Sequence, residues 1–124
     1  MIRRPGLLGC LLLLAACGAE QHANPPCLTA VGDSDAGLAA VGEQAYTQAC
    51  ARCHDEGAND APRIGDKDAW AGRSWLWEAV LFEHANKGYL DMPAKGGDES
   101  LDDATVARAA EYMLCVTFPD TPRD

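Results

Sequence analysis

The sequence predicts an all-α domain of three to four helices joined by long ordered loops. Three stretches place apolar residues at helical spacing, capping residues stand in front of them with Gly or Pro behind, and no stretch alternates apolar with polar residues. Asp35 can cap a helix over Leu38–Cys50, whose apolar stripe is Leu38, Val41, Ala45 and Ala49. Residues 54–69, rich in Gly, Asp, Asn and Pro, read as loop. Ser74 can cap a second helix running to about Asn86, with Leu76, Trp77, Val80 and Leu81 on it and Gly88 to end it. Gly88 to Gly97 is loop again. Ser100, with Asp103 three residues on, reads as a variant capping box. It opens a third helix that carries Val106, Ala109, Ala110, Met113 and Leu114 on its apolar positions, with Pro119 beyond its end.

The chain of 124 residues is enough for one small domain. Its start reads as an export signal: Met1-Ile2-Arg3-Arg4 is basic, and the apolar run Leu7–Ala16 is shorter than the roughly 20 residues that span a bilayer. That run ends Leu14-Ala15-Ala16-Cys17, which resembles the lipobox of bacterial lipoproteins. The resemblance implies removal of residues 1–16 and a lipid on Cys17 that holds the protein to the periplasmic side of a bacterial membrane. Gly18 beside it carries no inner-membrane retention signal in that pattern, which favours the outer membrane. Ordinary secretory cleavage with an incidental cysteine is the alternative. Residues 17–37, with Pro25-Pro26 and Gly32-Asp33-Ser34-Asp35, read as a tether, and the domain occupies 38–118.

The formal charge is −9; cleavage removes Arg3 and Arg4 and no acid, leaving −11. This argues against nucleic acid, and fits either a partner with a basic docking surface or plain solubility. Of six cysteines, Cys10 leaves with the signal and Cys17 carries lipid. Cys27, Cys50, Cys53 and Cys115 remain, in an oxidising compartment. Three modest helices bury little apolar surface, so a large flat cofactor would supply the missing core.

Cys50-Ala51-Arg52-Cys53-His54 is C-x-x-C-H, the attachment motif for haem c. Two thiols three residues apart reach two vinyl groups on one porphyrin edge, and the next residue supplies an imidazole to the iron. A zinc site would want four ligands at regular spacing, whereas His22, Cys27, His84 and Cys115 are scattered. A thioredoxin-type dithiol would sit near a βαβ pattern, and none is present. For the sixth iron position the sulfur candidate is Met92, in the loop Leu90-Asp91-Met92-Pro93, where the following proline biases it toward extended backbone. His84 is the rival, and Met113 reads as core.

The chain resembles class I c-type cytochromes of the cytochrome c-5 type, c-555-like branch over roughly Gly42 to Met113. The resemblance rests on Gly42-Glu43-Gln44-Ala45-Tyr46, the C-x-x-C-H motif, Ala61-Pro62-Arg63-Ile64-Gly65-Asp66-Lys67, Trp70, Met92-Pro93-Ala94-Lys95-Gly96-Gly97 and Ala109-Ala110-Glu111-Tyr112-Met113. It implies a small class I cytochrome c fold wrapped around one covalently bound haem c. Gly42 and Tyr46 would cross the last helix near Tyr112. The Pro62 carbonyl would accept a hydrogen bond from His54, fixing the ring. Ile64 would pack on the haem, and Trp70 and Arg73 would face its propionates, with plain core packing the alternative for Trp70. Members of the branch often carry a cysteine pair after the methionine loop. Here Gly96-Gly97-Asp98-Glu99-Ser100 has none, and Cys27 and Cys115 are left over. They are expected to pair and tie the tether to the last helix; a free thiol or a bridge to another subunit is the alternative.

The implied function is an exported, membrane-tethered electron carrier that exchanges electrons with redox proteins and is not an enzyme. The competing classes are a peroxidase-like haem protein with an open sixth position and a fixed subunit of a larger oxidoreductase.

Overall fold

The structure is a computed structural model and describes residues 33–73 and 78–120. The export signal 1–16, the lipid-bearing Cys17, Cys27, the tether as far as residue 32, and Ser74, Leu76 and Trp77 of the second expected helix lie outside the described residues.

The described elements are α1 (Asp33–Ala45), a π-helical turn (Tyr46–Cys50), α2 (Ala51–His54), a 3-10 turn (Ala58–Asp60), α3 (Lys67–Trp70), α4 (Glu78–Lys87), a second 3-10 turn (Ala94–Gly97) and α5 (Asp103–Thr117). Among the described residues there is no strand, only an isolated antiparallel bridge between Tyr89 and Met92. No helix among them is long and apolar enough to cross a membrane.

The first expected helix begins earlier and runs further than the pattern indicates. Asp35 lies inside α1 rather than capping it, and helical backbone continues through the π turn and α2 to His54. Its packing face also differs. Ala45 and Ala49 are buried, but Leu38 and Val41 are 39% and 41% exposed. The buried face is Gly42, Ala45, Tyr46 and Ala49. The cause is the crossing with α5 at Gly42: a Cβ there would lie 2.4 Å from the Arg108 carbonyl oxygen and 3.3 Å from Tyr112 Cβ. Glycine lets the two backbones touch, and Leu38 and Val41 lie before that contact. Tyr46 and Tyr112 pack beside it, their rings tilted by 45° with centroids 5.4 Å apart. The wider π turn then re-phases the helix up to Cys50, just ahead of Cys53 and His54; such turns recur at functional sites.

The loop expected over 54–69 holds a 3-10 turn at Ala58–Asp60 and the start of a short helix. Asp66 caps the short α3 by accepting from the backbone N–H groups of Asp68 and Ala69 at 3.1 and 3.0 Å. Helix α4 ends at Gly88, whose positive φ and N–H to the His84 carbonyl at 2.8 Å form a left-handed cap. The start of α5 corrects the expected capping box. Ser100 is held in a turn by Asp98, whose Oδ1 accepts from both its N–H and its hydroxyl. That leaves Asp102 as the cap, accepting from Thr105 N–H at 2.7 Å. Val106, Ala109, Met113 and Leu114 of α5 are buried as expected, joined by Cys115 and Thr117.

The core is thin. Much of its wall is Ala45, Ala49, Ala85 and Ala109, with Tyr46, Trp70, Met113 and Leu114 as the larger members. Small side chains at facing positions leave a shallow, open apolar cleft between Cys50 at the end of the π turn, α4, α5 and the methionine loop.

Gly42→Ala is expected to destabilise the protein by about 2–3 kcal/mol, because the obstruction is rigid helix backbone. Guanidinium unfolding of the haem-bearing protein measures this as a lowered midpoint at unchanged slope. Acid should also weaken the fold. Hydrogen bonds from Ser100 and Gln48 hold Asp98 below the ordinary 3.8, and those from Thr105 do the same for Asp102. A carboxyl depressed in the folded state stabilises above its unfolded value and loses that contribution as pH falls through the folded one. The thermal midpoint should therefore fall on acidification below about pH 4, and Asp102→Asn, which keeps a cap acceptor without the titration, should reduce that fall.

Candidate functional site

The two thiols of the motif stand three residues apart, about one helical turn, because the π turn ends at Cys50 and α2 carries Cys53 and His54. Both cysteines are half-buried and neither is in a disulfide. Burial, and then the neighbouring Cys53, push the Cys50 thiol up from its ordinary value, while Arg52 opposes them.

His54 is 6% exposed. Its Nδ1 lies 2.7 Å from the Pro62 carbonyl oxygen. A carbonyl only accepts, so Nδ1–H donates, and in the neutral ring Nε2 is the nitrogen left with a lone pair for a metal. The segment that supplies this acceptor is itself fixed. Ile64 N–H donates to the His54 carbonyl at 2.8 Å, Arg63 Nε to the Asp55 carbonyl at 3.3 Å, and Gly65 N–H to the buried Thr117 hydroxyl at 3.0 Å. Trp70 closes the shell. Its ring lies against His54 at 6.1 Å between centroids and 24° between planes. The indole N–H that the resemblance offers to a propionate instead donates to the Arg63 carbonyl at 2.7 Å. Arg73 is exposed and donates to the Ala69 carbonyl within its own turn. Ile64 is partly buried against the core.

A second tie lies on the helix itself. The hydroxyl of buried Tyr46 donates to Asp55, the residue after His54. Burial, and then the Asp55 hydrogen bond, raise the Tyr46 phenol far above its ordinary range, so it acts as a permanent donor. The sequence carries no signal for this pair, since nine residues separate them and the π turn brings them together.

Met92 lines the same cleft as Cys50, together with Ala85, Val106, Ala109 and Met113. Its backbone is held by reciprocal hydrogen bonds with Tyr89 at 3.0 Å each. His84 does not line the cleft; its ring stacks on Tyr89 at 3.9 Å. The far side of the methionine loop is bound to the motif helix, with Arg52 Nη2 donating to the Gly96 carbonyl at 2.5 Å and Gln48 Nε2 to Asp98 at 2.7 Å. Lys95 donates to the Leu101 carbonyl at 2.8 Å and pairs with Asp103 at 2.9 Å. Sequence reasoning missed Gln48 and Arg52, although their spacing of four on a helix was visible. Cys115 is 2% exposed and disulfide-bonded, and its partner cysteine lies outside the described residues.

The donor set fits a covalently held porphyrin: two available thiols, a buried imidazole with one nitrogen free, and an alanine-rich apolar cleft. Helical architecture and this set together define a domain built to carry haem c.

Comparisons with known proteins agree. The family model described as cytochrome C oxidase, cbb3-type, subunit III matches residues 37–113. Cytochrome c-555 of Chlorobaculum tepidum is 42% identical over 87 residues, covering 67% of this chain and 81% of that protein. Cytochrome c-555 of Chlorobaculum thiosulfatiphilum is 42% identical over 80 residues, covering 61% and 93%. A chain in the crystal structure of an electron transfer complex of nitrite reductase with cytochrome c is 38% identical with a TM-score of 0.58, covering 62% of this chain and 94% of that one. The chain belongs to the cytochrome c family, with a small class I cytochrome c fold, one covalently attached haem c and the character of a monohaem electron carrier.

Proposed function

We propose that the protein is an exported, membrane-tethered electron carrier whose haem iron is held between His54 and Met92, and that it is not an enzyme. The observation that carries the reading is the placement of Met92 on the wall of the cleft that Cys50 enters, while His54 is buried with its Nδ1 already engaged. The haem supplies vinyl carbons for two thioethers and an iron that changes oxidation state by one electron. Cys50 and Cys53 hold it, so that it stays with the protein. The Pro62 carbonyl fixes the His54 ring and makes its Nε2 a better donor. Met92 fills the remaining position and leaves none for a substrate, which favours outer-sphere transfer over peroxidase chemistry. A thioether at that position also raises the potential relative to two imidazoles. His84, turned to Tyr89 rather than to the cleft, is the weaker ligand.

Redox proteins are the partners. The neighbour crystallised in an electron transfer complex with nitrite reductase supports this class of contact, and the acid-rich composition suits a basic docking surface. Export to the periplasmic side and lipid on Cys17 rest on the basic start, the short apolar run and Leu14-Ala15-Ala16-Cys17. The same reading divides the chain into a signal at 1–16, a tether, and the cytochrome domain. It also pairs Cys27 with Cys115. The latter is disulfide-bonded, and Cys50 and Cys53 are not.

Met92→Ala tests the function. Axial ligands set haem potentials across about 0.8 V, so loss of the thioether should lower the potential by on the order of 0.2 V. The variant should also turn high-spin and acquire peroxidase turnover that the parent lacks. An unchanged spectrum and potential would remove Met92 as ligand, and a matching loss in His84→Ala would install the rival. The cysteine pairing is tested by thiol titration of the denatured, unreduced, haem-bearing protein. No reactive thiol is expected. Two per chain would end the pairing, and Cys115→Ser should destabilise by about 2–4 kcal/mol.

A further inference from the structure

We propose that Arg52, a variable residue of the C-x-x-C-H motif, is a positioning residue for the sixth ligand: with Gln48 it clamps the loop that presents Met92. The inference rests on the His54/Met92 reading above and extends it to residues that touch neither ligand.

Met92 has two anchors, one on each side along the chain. On the N-terminal side, the reciprocal hydrogen bonds with Tyr89 fix its backbone. On the C-terminal side only Pro93, Ala94 and Lys95 intervene before Gly96, whose carbonyl receives the Arg52 guanidinium at 2.5 Å. Two residues later Asp98 receives Gln48. These two donors stand four residues apart on the helical run that also carries Cys50, Cys53 and His54. The helix that attaches the haem therefore also grips the loop supplying the opposing ligand.

The backbone shows that this grip works against a conformational cost. Lys95, Gly96 and Gly97 all have positive φ, at 54°, 63° and 85°. Such a run is strained at the lysine and persists only where surroundings hold it. The approach is close: a Cβ on Gly96 would lie 2.7 Å from the Ala49 carbonyl oxygen, and one on Gly97 2.7 Å from Arg52 Nη2. A charged donor to a carbonyl is among the stronger hydrogen bonds. Without it, the segment after Met92 can relax from the strained turn, and the thioether then leaves its place more often.

The test uses the matured, full-length holoprotein. Cyanide association with the ferric form reports how often the sixth position opens, and the sulfur-to-iron charge-transfer absorption reports how well the thioether is held. Arg52→Gln is expected to speed cyanide binding by about tenfold, the scale of one charge-assisted hydrogen bond, and to weaken the absorption. Arg52→Lys should restore part of both, and Gln48→Ala should give a smaller change in the same direction. Met92→Ala run alongside separates the two claims. If it binds cyanide fast while Arg52→Gln stays within about twofold of the parent, the clamp is wrong and the ligand reading stands. If Met92→Ala itself leaves cyanide binding unchanged, the ligand reading falls and the clamp falls with it.

Discussion

The hydrogen bond from His54 to the Pro62 carbonyl orders much of what surrounds it. An imidazole on a helix end can rotate, and a rotating ring is a poor metal ligand. Here the ring is pinned at Nδ1, and the acceptor is pinned in turn by Ile64, Arg63 and Gly65 through bonds to His54, Asp55 and Thr117. The loop after the motif thus has a structural task, since its irregular backbone is the frame of the histidine. Trp70 covers that frame by lying against the ring and tying its own N–H to Arg63. A short capped helix exists at Lys67–Trp70 because the tryptophan must arrive at that place, and Asp66 provides the cap that lets so short a turn form.

The crossing of α1 over α5 is the second constraint, and it explains the sparse core. Contact at Gly42 brings the two backbones together, and further along the same helical run the buried residues Ala45 and Ala49 are small, Ala49 with its backbone close against Gly96 of the methionine loop. A domain packed this way encloses a cleft rather than filling it. Such a core is marginal by itself in a domain of this size. Haem c in that cleft would serve as core and as redox centre together, and its covalent attachment would then matter to the fold as well as to retention of the group.

Helix existence was legible in the sequence, since apolar periodicity and the cysteine-histidine motif are local signals. Val106, Ala109, Met113 and Leu114 repeat on one face and are buried on one face. What was not legible depends on contacts between distant segments. Leu38 and Val41 fit the helical stripe but lie outside the crossing that defines the buried face. Ser100 looked like a cap because nothing in the local pattern shows that Asp98 has already engaged it. The π turn leaves no compositional trace, and without it the Tyr46–Asp55 contact could not be foreseen. Of the site itself, the residues with a motif could be named, whereas the anchors of the methionine loop are ordinary surface types whose role appears only when Gly96 and Asp98 are seen beside them.

These constraints meet in the helical run from Tyr46 to His54. Its inner face packs Tyr46 and Ala49 into the core, its end delivers two thiols and a histidine, and its outer face holds the loop that carries Met92. An electron carrier benefits from a centre that changes shape little between oxidation states, because every rearrangement of ligands adds to the barrier for transfer. One rigid element that restrains both prospective ligands would limit that rearrangement more than two independent elements could. With Met92 as the sixth ligand the same arrangement would disfavour catalysis, which needs that position to open readily to a substrate. Electron transfer is therefore the function that the placement of restraint in this fold supports: firm around both prospective ligands.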